Sequence, residues 1–444
     1  MSLLFPKMLQ KVFLFFKLIG LAISITWDTI GLKISARIHR FTYKSVPDPK
    51  NVVVVGGSFA GYFLARQLAD SLPTGYRVMV IEKHSHYHFT WNFPRITVIQ
   101  GHTKNAFIPY PQPTSVKPDG IYSFRQGEVI KIGAKEVILS DGSNIPFEYL
   151  AIATGSQARY PATMDADDKA GCMKFFEERQ ERIKAAHHIV VVGAGAAGVE
   201  VAGDIKTQYP QKKVTLVHSR EQLLNNFGRG LHDIAKSALE ELGVELYLGQ
   251  RVISGLEDDN PTEVTIQSEK VLQCDALVNI PNMVERNLLT TSQIRCTGQY
   301  ARSALVKDAF PSSVSPSGSV LVGQTLQITG APPNVFACGD VIDLPGPRLG
   351  RAAAFQGIIV AQNIVRSISG RPLKTYKPGV VDTSIELTLG LGNNVTYVND
   401  GGKEMSFPKK VPDLDMHAAQ AWKMMGANPF DDPEDVQKDK GLVV

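Results

Sequence analysis

Val52-Val53-Val54-Val55-Gly56-Gly57-Ser58-Phe59-Ala60-Gly61 is one of two stretches that decide the fold, and Val190-Val191-Val192-Gly193-Ala194-Gly195-Ala196-Ala197-Gly198 is the other. In each, a β-branched run typical of a buried parallel strand meets small residues that let the backbone turn tightly and approach a pyrophosphate. The helix that follows presents free N–H groups to the phosphates. The sequence therefore predicts two βαβ nucleotide sites, and a chain with two such sites is suited to moving electrons between them.

The first unit continues into a second strand that ends at Glu82, twenty-one residues after Gly61. A carboxylate at this place accepts hydrogen bonds from ribose hydroxyls. Ser58 stands where the middle glycine is usual, so its side chain narrows the approach to phosphate without forbidding it. We expect the whole turn to contact a dinucleotide, namely Gly56, Gly57, Ser58, Phe59, Ala60 and Gly61. A plain βα turn without a ligand is the alternative.

The second unit ends differently, because its second strand runs into His218-Ser219-Arg220 with no acid at the tip. A terminal carboxylate favours the 2′-hydroxyl of NAD, whereas an imidazole and a guanidinium tolerate a 2′-phosphate. We therefore expect NADPH to be accepted along with NADH, with His218 and Arg220 in contact with the nucleotide. Arg220 as a solvated surface cation is the alternative.

Composition limits the classes of function. The 444 residues exceed one typical domain, so two or three domains are expected. The four cysteines are widely spaced and form no C-x-x-C pair, which argues against a dithiol relay, a disulfide framework or a zinc site. The net charge is +4, but residues 1–46 hold seven Lys or Arg against one Asp. Because the basic excess is local, nucleic-acid binding is not expected. His84, His86 and His88 alternate as metal ligands can, but no further ligand cluster accompanies them, so no metal site is expected.

The N-terminal residues 12–27 form an apolar run interrupted by Lys17. Its uncharged core is shorter than the roughly 20 residues of a membrane span. On a helix, the polar side chains share an arc of roughly 140° opposite a Phe/Leu/Ile face; they are Lys7, Gln10, Lys11, Lys17, Ser24 and Asp28. This pattern is typical of a helix that lies on a membrane surface. A signal-anchor span, a mitochondrial presequence and an ordinary docking helix are the alternatives. Ser2 stands where N-myristoylation requires glycine.

Pro47-Asp48-Pro49 marks a linker before the first unit. Two later features point to a bound cofactor. A strand over 149–153 runs into Thr154 and Gly155, a small-residue crossover where backbone lies against a cofactor. A later strand ends at Asp340 before an alanine-rich helix over 352–367, so that its carboxylate can bind a ribityl hydroxyl near a helix N-terminus. We also expect strands over 127–132, 136–140 and 316–322.

The two glycine units, the strand that runs into Thr154 and Gly155, and the strand that ends at Asp340 resemble those of the apoptosis-inducing-factor-like flavoproteins. The resemblance is greatest to their ferroptosis-suppressor branch, and more distant to the type II NADH dehydrogenases. The C-terminal runs Arg371-Pro372-Leu373-Lys374-Thr375-Tyr376-Lys377-Pro378-Gly379 and Ala421-Trp422-Lys423-Met424-Met425 carry the most diagnostic part of the resemblance. The family's pattern is broken at Ser58 and at 278–282, where Val-Asn-Ile-Pro-Asn replaces a second Thr-Gly crossover. The resemblance covers nearly the whole chain after residue 47.

The resemblance implies an α/β fold of the glutathione-reductase type, with two Rossmann-like three-layer nucleotide-binding domains, a small C-terminal α+β domain and an N-terminal hydrophobic helix. The implied division is 1–46 for the helix, 47–160 and 286–370 for the FAD domain, 161–285 for the NAD(P)H domain and 371–444 for the C-terminal domain. It also implies FAD contacts at Gly56 to Gly61, Glu82, Arg95, Val129 and Asp340, and NAD(P)H contacts at Gly193, Gly195, Gly198 and Glu200.

The function implied is a membrane-associated flavoprotein that passes a hydride from NADH or NADPH to FAD and electrons on to a quinone-type acceptor. Glu200 is the candidate catalytic residue, with a solvated helix position as the alternative, and His88 and Trp91 are expected to line the cofactor pocket. The expected location is the cytoplasmic face of the mitochondrial outer membrane, a lipid droplet or the endoplasmic reticulum, and a homodimer is left open. A soluble reductase of a small metabolite and a redox-sensing signalling protein with little turnover are the alternative functions.

Overall fold

The computed structural model describes residues 4–157, 166–255, 262–279 and 300–435. Within these ranges the α-helices are α1 (Leu4–Thr42), α2 (Phe59–Ala69), α3 (Phe93–Ile96), α4 (Lys169–Ala185), α5 (Ala196–Gln208), α6 (Arg229–Leu242), α7 (Ala304–Ala309), α8 (Gly350–Ile368), α9 (Val380–Thr383) and α10 (Ala418–Met424). The expected N-terminal helix is thus present as α1, and the helix expected over 352–367 is α8.

Two parallel sheets form the centre of the molecule. The first has five strands in the order β19 (Val335–Ala337), β9 (Tyr149–Ile152), β1 (Lys50–Val55), β2 (Tyr76–Glu82) and β5 (Tyr122–Gln126). The second has four strands in the order β13 (Glu245–Tyr247), β12 (Lys213–Val217), β11 (His188–Val192) and β17 (Ala276–Asn279). All their pairings are parallel. The valines of β1 are almost fully buried, as expected for a strand covered by helices on both faces.

Smaller sheets flank these two. Three are antiparallel triplets: β6 (Val129–Ile132), β7 (Glu136–Leu139) and β8 (Asn144–Pro146); β14 (Val252–Ser254), β15 (Glu263–Ile266) and β16 (Val271–Gln273); and β20 (Ile385–Thr388), β21 (Asn393–Asp400) and β22 (Lys403–Lys410). Two are pairs: β3 (His86–His88) with β4 (Phe107–Pro109), and β10 (Ser156–Gln157) with β18 (Tyr300–Ala301). The strands expected over 127–132, 136–140 and 149–153 are therefore confirmed.

One expected strand is wrong. Residues 316–322 form only isolated bridges, in which Val320 pairs with Val314 and with Ile342, and Val322 pairs with Ile328. The tight turn at Gly318, with a φ of +86°, folds this segment back on itself before a ladder can extend.

The first sheet is discontinuous in sequence, because β19 joins β9 only after the whole second sheet has intervened. This order matches the predicted interruption of the FAD domain. The predicted boundaries near residues 160 and 285 lie outside the described residues, as does most of the 278–282 segment. The division of the chain into five parts stays a prediction.

Helix α1 packs along the molecule with Leu14 and Ala36 buried, and it lies against the edge strand β22. An 18-residue window within Val12–Thr42 has a mean hydropathy of 1.6, and this segment is long and apolar enough to cross a membrane by length and composition alone. Among the residues that the structure describes, it is the one helix of that kind. The short uncharged core expected from the sequence therefore does not by itself decide between crossing a membrane and lying on it.

Candidate active site

The first glycine turn is held in a single conformation by its neighbours. Gly56 has a φ of +101°, a region that favours glycine, and its N–H donates to the carbonyl of Ile81 across 2.8 Å. A Cβ on Gly61 would overlap the carbonyl oxygen of Gly56, so α2 packs directly onto the turn. Ser58 precedes α2 and its hydroxyl caps no helix N–H. The N–H groups at the start of α2 are thereby left for a ligand.

Glu82 lies at the tip of β2 and fixes this turn. Its Oε2 accepts a hydrogen bond from the Gly57 N–H at 2.7 Å, and its Oε1 accepts from the backbone and from the ring of His84 at 3.0 and 2.7 Å. Burial opposes the charge of Glu82, but these hydrogen bonds outweigh it and lower the pKa of the carboxyl to about 2. Glu82 therefore places a permanent negative charge in the lining of the cleft.

The second glycine turn repeats the same geometry with a different residue at the tip. Gly193 also has a φ of +101°, and its N–H donates to the carbonyl of Val217 across 2.8 Å. The next N–H, that of Ala194, donates to Nδ1 of His218 at 3.2 Å. Burial, assisted by the charge of Arg220, lowers the pKa of His218, so its ring is neutral at physiological pH. A Cβ on Gly195 would meet no atom within 4 Å, which leaves room for a pyrophosphate.

A cleft of about 380 Å³ opens between the two turns and the C-terminal sheet, within the size range of cofactor sites. Nine residues predicted from the sequence line it: Gly56, Ser58, Phe59, Ala60, Glu82, Thr154, Gly155, Glu200 and Asp340. His88 and Trp91 line it as well. The other predicted residues lie outside its lining, namely Gly57, Gly61, Arg95, Val129, Gly193, Gly195, Gly198, His218 and Arg220.

The crossover after β9 forms one wall of the cleft. The Thr154 hydroxyl donates to the carbonyl of Arg302 at 2.7 Å, and the carbonyl of Gly155 accepts from the Arg302 N–H at 3.0 Å. Ser156 donates to Oδ2 of Asp340 at 3.0 Å. Burial raises the pKa of Asp340 despite that hydrogen bond. Asp340 lies ten residues before the start of α8, so it is a cleft residue and not the N-cap of that helix.

Three arginines that the sequence did not reveal, Arg302, Arg348 and Arg351, also line the cleft. Guanidinium groups bind phosphate oxygens in a bidentate manner, which suits the diphosphate of a dinucleotide. Arg348 and Arg351 flank the start of α8 at Gly350, and this position beside a helix N-terminus is the signal that could have found them. Arg302 follows a segment without a recognisable pattern, so the sequence offered no signal for it.

Glu200 links the second turn to the C-terminal sheet. It lies on α5, faces the cleft and accepts a hydrogen bond from the Thr388 N–H at 3.2 Å. Burial is the main cause that raises the pKa of Glu200 to about 8, and the nearby carboxyl of Asp204 adds to it. Glu200 therefore holds a proton near neutral pH.

Two residues expected at FAD lie outside the lining of the cleft. Arg95, on α3, is buried and donates from Nε to Oδ2 of Asp204 on α5 at 2.7 Å. Its guanidinium thereby links α3 to α5 of the second nucleotide unit. Only the tertiary structure reveals this contact. Val129 is buried in β6, within a small antiparallel sheet. A contact of either residue with FAD stays a prediction.

The far end of the cleft is formed by Glu386 on β20. Its Oε1 accepts from Lys409 at 2.8 Å and from Asn394 at 3.0 Å, and it lies 3.7 Å from Nε2 of His417. Burial opposes the charge of Glu386, but the hydrogen bond from Lys409 and the others lower its pKa overall. His417 has a φ of +68°, and its ring meets the Trp91 ring edge to face at 6.4 Å. This end of the cleft combines a flat aromatic surface with fixed polar groups.

The paired turns, the buried carboxylate of Glu82 and the arginine-lined cleft together fit two dinucleotides. The family model for pyridine nucleotide-disulphide oxidoreductases matches residues 50–357. The chain belongs to the pyridine nucleotide-disulphide oxidoreductase family. Its cofactors are FAD and NAD(P)H, and it is an NAD(P)H oxidoreductase, as the sequence predicted. Since no closely spaced cysteine pair exists in this chain, the reaction does not use the dithiol that gives the family its name.

Curated relatives confirm the expected branch of this family. Ferroptosis suppressor protein 1 of Homo sapiens is 32% identical over 388 residues, which cover 85% of this chain and 96% of the relative. Apoptosis-inducing factor homolog A of Dictyostelium discoideum is 27% identical over 378 residues, covering 82% and 88%.

Among solved structures, the sulfide:quinone oxidoreductase of the bacterium Aquifex aeolicus superposes with a TM-score of 0.67 at 17% identity. The match covers 89% of this chain and 96% of that one. The water-forming NADH oxidase of Lactobacillus brevis, bound to NADH, superposes with a TM-score of 0.59 at 20% identity, covering 79% and 75%. At these identities both structures support the fold.

Proposed function

We propose that this protein is a membrane-associated oxidoreductase that passes electrons from NADH or NADPH to a quinone-type acceptor. When bound, FAD supplies the chemistry that takes a hydride from the nicotinamide and hands electrons on. The protein's own residues bind and orient the nicotinamide nucleotide, FAD and the acceptor, and they hold the protons. One observation carries the proposal: the C-terminal sheet connects the cleft directly to the apolar helix α1.

This connection is short. Strand β20 contributes Ile385 and Glu386 to the cleft lining, Ser384 just before it also lines the cleft, and β22, two strands away in the same sheet, lies against α1. Since neighbouring strands are about 4.8 Å apart, roughly 10 Å separate the two edges of the sheet. An acceptor that partitions into a membrane beside α1 therefore has only a short distance to travel to the cleft.

The far end of the cleft suits a flat, uncharged ring. Trp91 offers an aromatic surface, and Pro94 adds an apolar wall. Glu386 and His417 supply polar groups at the same end. A quinone needs an aromatic contact for its ring, hydrogen-bond donors for its two carbonyl oxygens and a source of protons when it is reduced.

Glu200 is our candidate for holding one of those protons. Its Oε1 accepts from the Thr388 N–H, and the residue lines the cleft. Burial keeps the carboxyl protonated near neutral pH. A proton held at a buried carboxyl beside the reacting groups is available without waiting for solvent.

We assign cofactor contacts to all the residues predicted from the sequence. FAD would lie on Gly56, Gly57, Ser58, Phe59, Ala60, Gly61, Glu82, Arg95, Val129, Thr154, Gly155 and Asp340. The nicotinamide dinucleotide would lie on Gly193, Gly195, Gly198, Glu200, His218 and Arg220. Arg220 is exposed at the tip of β12, where a 2′-phosphate could reach it. The location that we propose is the cytoplasmic face of an intracellular membrane.

Stopped-flow absorbance tests this function. The purified flavoprotein is mixed anaerobically with NADH or NADPH and then with a short-chain ubiquinone. We expect the flavin absorbance to fall with the nicotinamide and to return with the quinone, at rates that rank the two donors. A flavin that is reduced but is reoxidised only by oxygen would refute the quinone assignment, and one that is never reduced would favour a signalling role.

A further inference from the structure

Helix α1 contacts the rest of the protein through one narrow seam. The side chains that are buried or half-buried on the described part of the helix are Leu14, Leu18, Leu21, Ile25, Leu32, Ala36 and His39. At 100° per residue they fall within an arc of roughly 60°. Leu14 is fully buried in this seam. The polar arc expected from the sequence overlaps the seam and its edge, since Lys17 pairs there with Asp400.

A second apolar stripe runs along the opposite face of α1 and is exposed. It consists of Val12, Phe16, Ile19, Ile23, Trp27, Ile30, Ile34, Ile38 and Phe41. Phe16, Trp27 and Phe41 are 65%, 69% and 83% exposed. Successive residues of the stripe are four, three and four positions apart, and this pattern repeats every eleven residues. An eleven-residue repeat keeps the stripe nearly parallel to the axis of a straight helix. From end to end the stripe measures roughly 45 Å.

Both ends of the helix are attached to the same body. Near the N-terminal end, Lys17 lies 2.6 Å from Oδ2 of Asp400, and the ammonium of Lys403 lies 5.3 Å from the centre of the Phe13 ring. Near the other end, Nε2 of His39 donates to the carbonyl of Leu72 at 2.6 Å. Lys17 and His39 are separated by about 33 Å of helix, close to the thickness of a bilayer's hydrocarbon core.

From this geometry we infer that the part of α1 from Val12 to Phe41 lies flat in the interface of a lipid bilayer and does not cross it; the inference rests on the proposed membrane association. A crossing helix would carry one attached end to the far side of the membrane and pull the seam away from the protein. It would also expose Lys17, Asp28 and Lys33 to hydrocarbon. A flat helix buries the outward stripe and keeps both attachments.

The residues beside the stripe favour a lipid bilayer as its partner. Lys33 and Arg37 are exposed beside it and can reach anionic headgroups. Trp27 lies near its middle, and tryptophan favours the membrane interface. A coiled-coil partner, by contrast, favours a seven-residue repeat, which this stripe lacks. We therefore assign the stripe to a bilayer surface rather than to a second copy of the chain.

Depth measurements along α1 test this assignment. Single cysteines replace Phe16, Ile23, Ile30 or Ile34 on the stripe and Ser24 or Ser35 on the flank, in the full-length FAD-loaded protein. Each is labelled with a nitrobenzoxadiazole probe and mixed with phosphatidylcholine–phosphatidylserine vesicles whose acyl chains are brominated near the headgroup or near the centre. The parent chain, treated identically, gives the background from native cysteines, and the flavin spectrum confirms that each variant is folded.

We expect shallow bromine to quench all four stripe probes to a similar extent and the flank probes at least several-fold less. Quenching that deepens steadily along the helix, with Ser24→Cys as strongly quenched as Ile23→Cys, would show a crossing helix and overturn the inference. Vesicle binding without quenching at any stripe position would also overturn it. So would a doubled molar mass that Trp27→Glu abolishes, because the stripe would then be a dimer contact.

A matched pair of variants measures how strongly the stripe contributes. Trp27→Glu places a charge on the stripe, and Ser24→Glu places the same charge on the flank. We expect Trp27→Glu to weaken vesicle binding roughly tenfold or more and Ser24→Glu to weaken it less than twofold. Quinone reduction by the same variants is measured in detergent with a short-chain ubiquinone. Absence of quinone reduction in the native chain as well would count against the proposed function, whereas a crossing-type depth profile in a protein that reduces quinone would count against the flat helix alone.

Discussion

The two glycine turns have the same backbone but different electrostatics. Gly56 and Gly193 share a φ of +101°, and each donates its N–H to the end of the neighbouring strand across 2.8 Å. In each turn the next N–H donates to the side chain at the following strand tip. That side chain is the anionic Glu82 in the first turn and the neutral His218 in the second. Backbone geometry thus makes a dinucleotide site, and a single strand-tip residue sets its charge.

The two helices that follow the turns differ as well. Five positions after Ser58 and Gly195, α2 carries Phe63 whereas α5 carries Glu200. Four residues further along, α5 also carries Asp204, which pairs with Arg95. The first helix is thus an ordinary packing element. The second carries two buried carboxyl groups, of which Asp204 pairs with Arg95 and Glu200 has a raised pKa, and the differences can be tested one residue at a time.

The largest effect is expected from Gly61→Ala, because a Cβ there would overlap the carbonyl oxygen of Gly56. The turn and α2 must move apart, which costs about 3 kcal/mol of folding free energy and opens the flavin site. We expect the flavin content to fall at least tenfold and the melting temperature to drop by several degrees. Gly379→Ala, where a Cβ meets no atom within 4 Å, is the control. Normal flavin content in Gly61→Ala would show that the turn is not a tight contact.

The next effect concerns the choice of donor. His218→Glu gives the second turn the carboxylate that the first has, and this charge repels a 2′-phosphate. We expect kcat/KM for NADPH to fall about tenfold relative to that for NADH, with His218→Gln as the neutral control. If kcat/KM falls equally for NADH and NADPH, His218 serves to hold the Ala194 N–H and not to select the nucleotide.

A smaller effect follows from the raised pKa of Glu200. Its folded-state pKa of about 8 exceeds its usual value of 4.5, so the folded protein holds a proton that the unfolded chain releases. The resulting stability is fully present below pH 4.5 and is lost as the pH rises through 8, at roughly 1 kcal/mol per pH unit. Glu200→Gln should remove this dependence.

Melting temperatures at pH 5 and pH 8 measure that difference. We expect the melting temperature of Glu200→Gln, taken relative to that of the native protein, to be higher at pH 8 than at pH 5. The exposed Glu240→Gln should melt like the native protein at both pH values. A constant difference between Glu200→Gln and the native protein would mean that Glu200 is already ionised in the folded state.

The smallest effect is expected from exchanging the middle positions of the turns. Gly195→Ser gives the second turn the side chain that Ser58 gives the first, and the space around Gly195 accommodates it. We expect the KM for NADH to rise a few-fold while flavin content and stability stay unchanged. A rise of a hundredfold or more would mean that the pyrophosphate lies closer to the backbone in the second site than in the first.

The sequence predicted those features that depend on local pattern. The βαβ units, the strand tips at Glu82 and His218, the N-terminal helix and α8 all follow from periodicity and glycine placement. Features that depend on distant residues were missed, because no local signal records them. Arg95 meets a partner 109 residues away, and Glu386 reaches the cleft through the C-terminal sheet. Residues 316–322 had a strand composition but found no partner strand along their length.

The late position of β19 in the sequence has a consequence for biosynthesis of the discontinuous first sheet. A ribosome releases β1, β2, β5 and β9 long before β19, and the second nucleotide unit is complete in the meantime. The edge of β9 therefore lacks its partner strand through much of synthesis, and an unpaired edge invites association with other chains. Asp340 and the arginines beside α8 also arrive only at this late point. A nascent chain thus completes its second glycine turn before it can close the cleft.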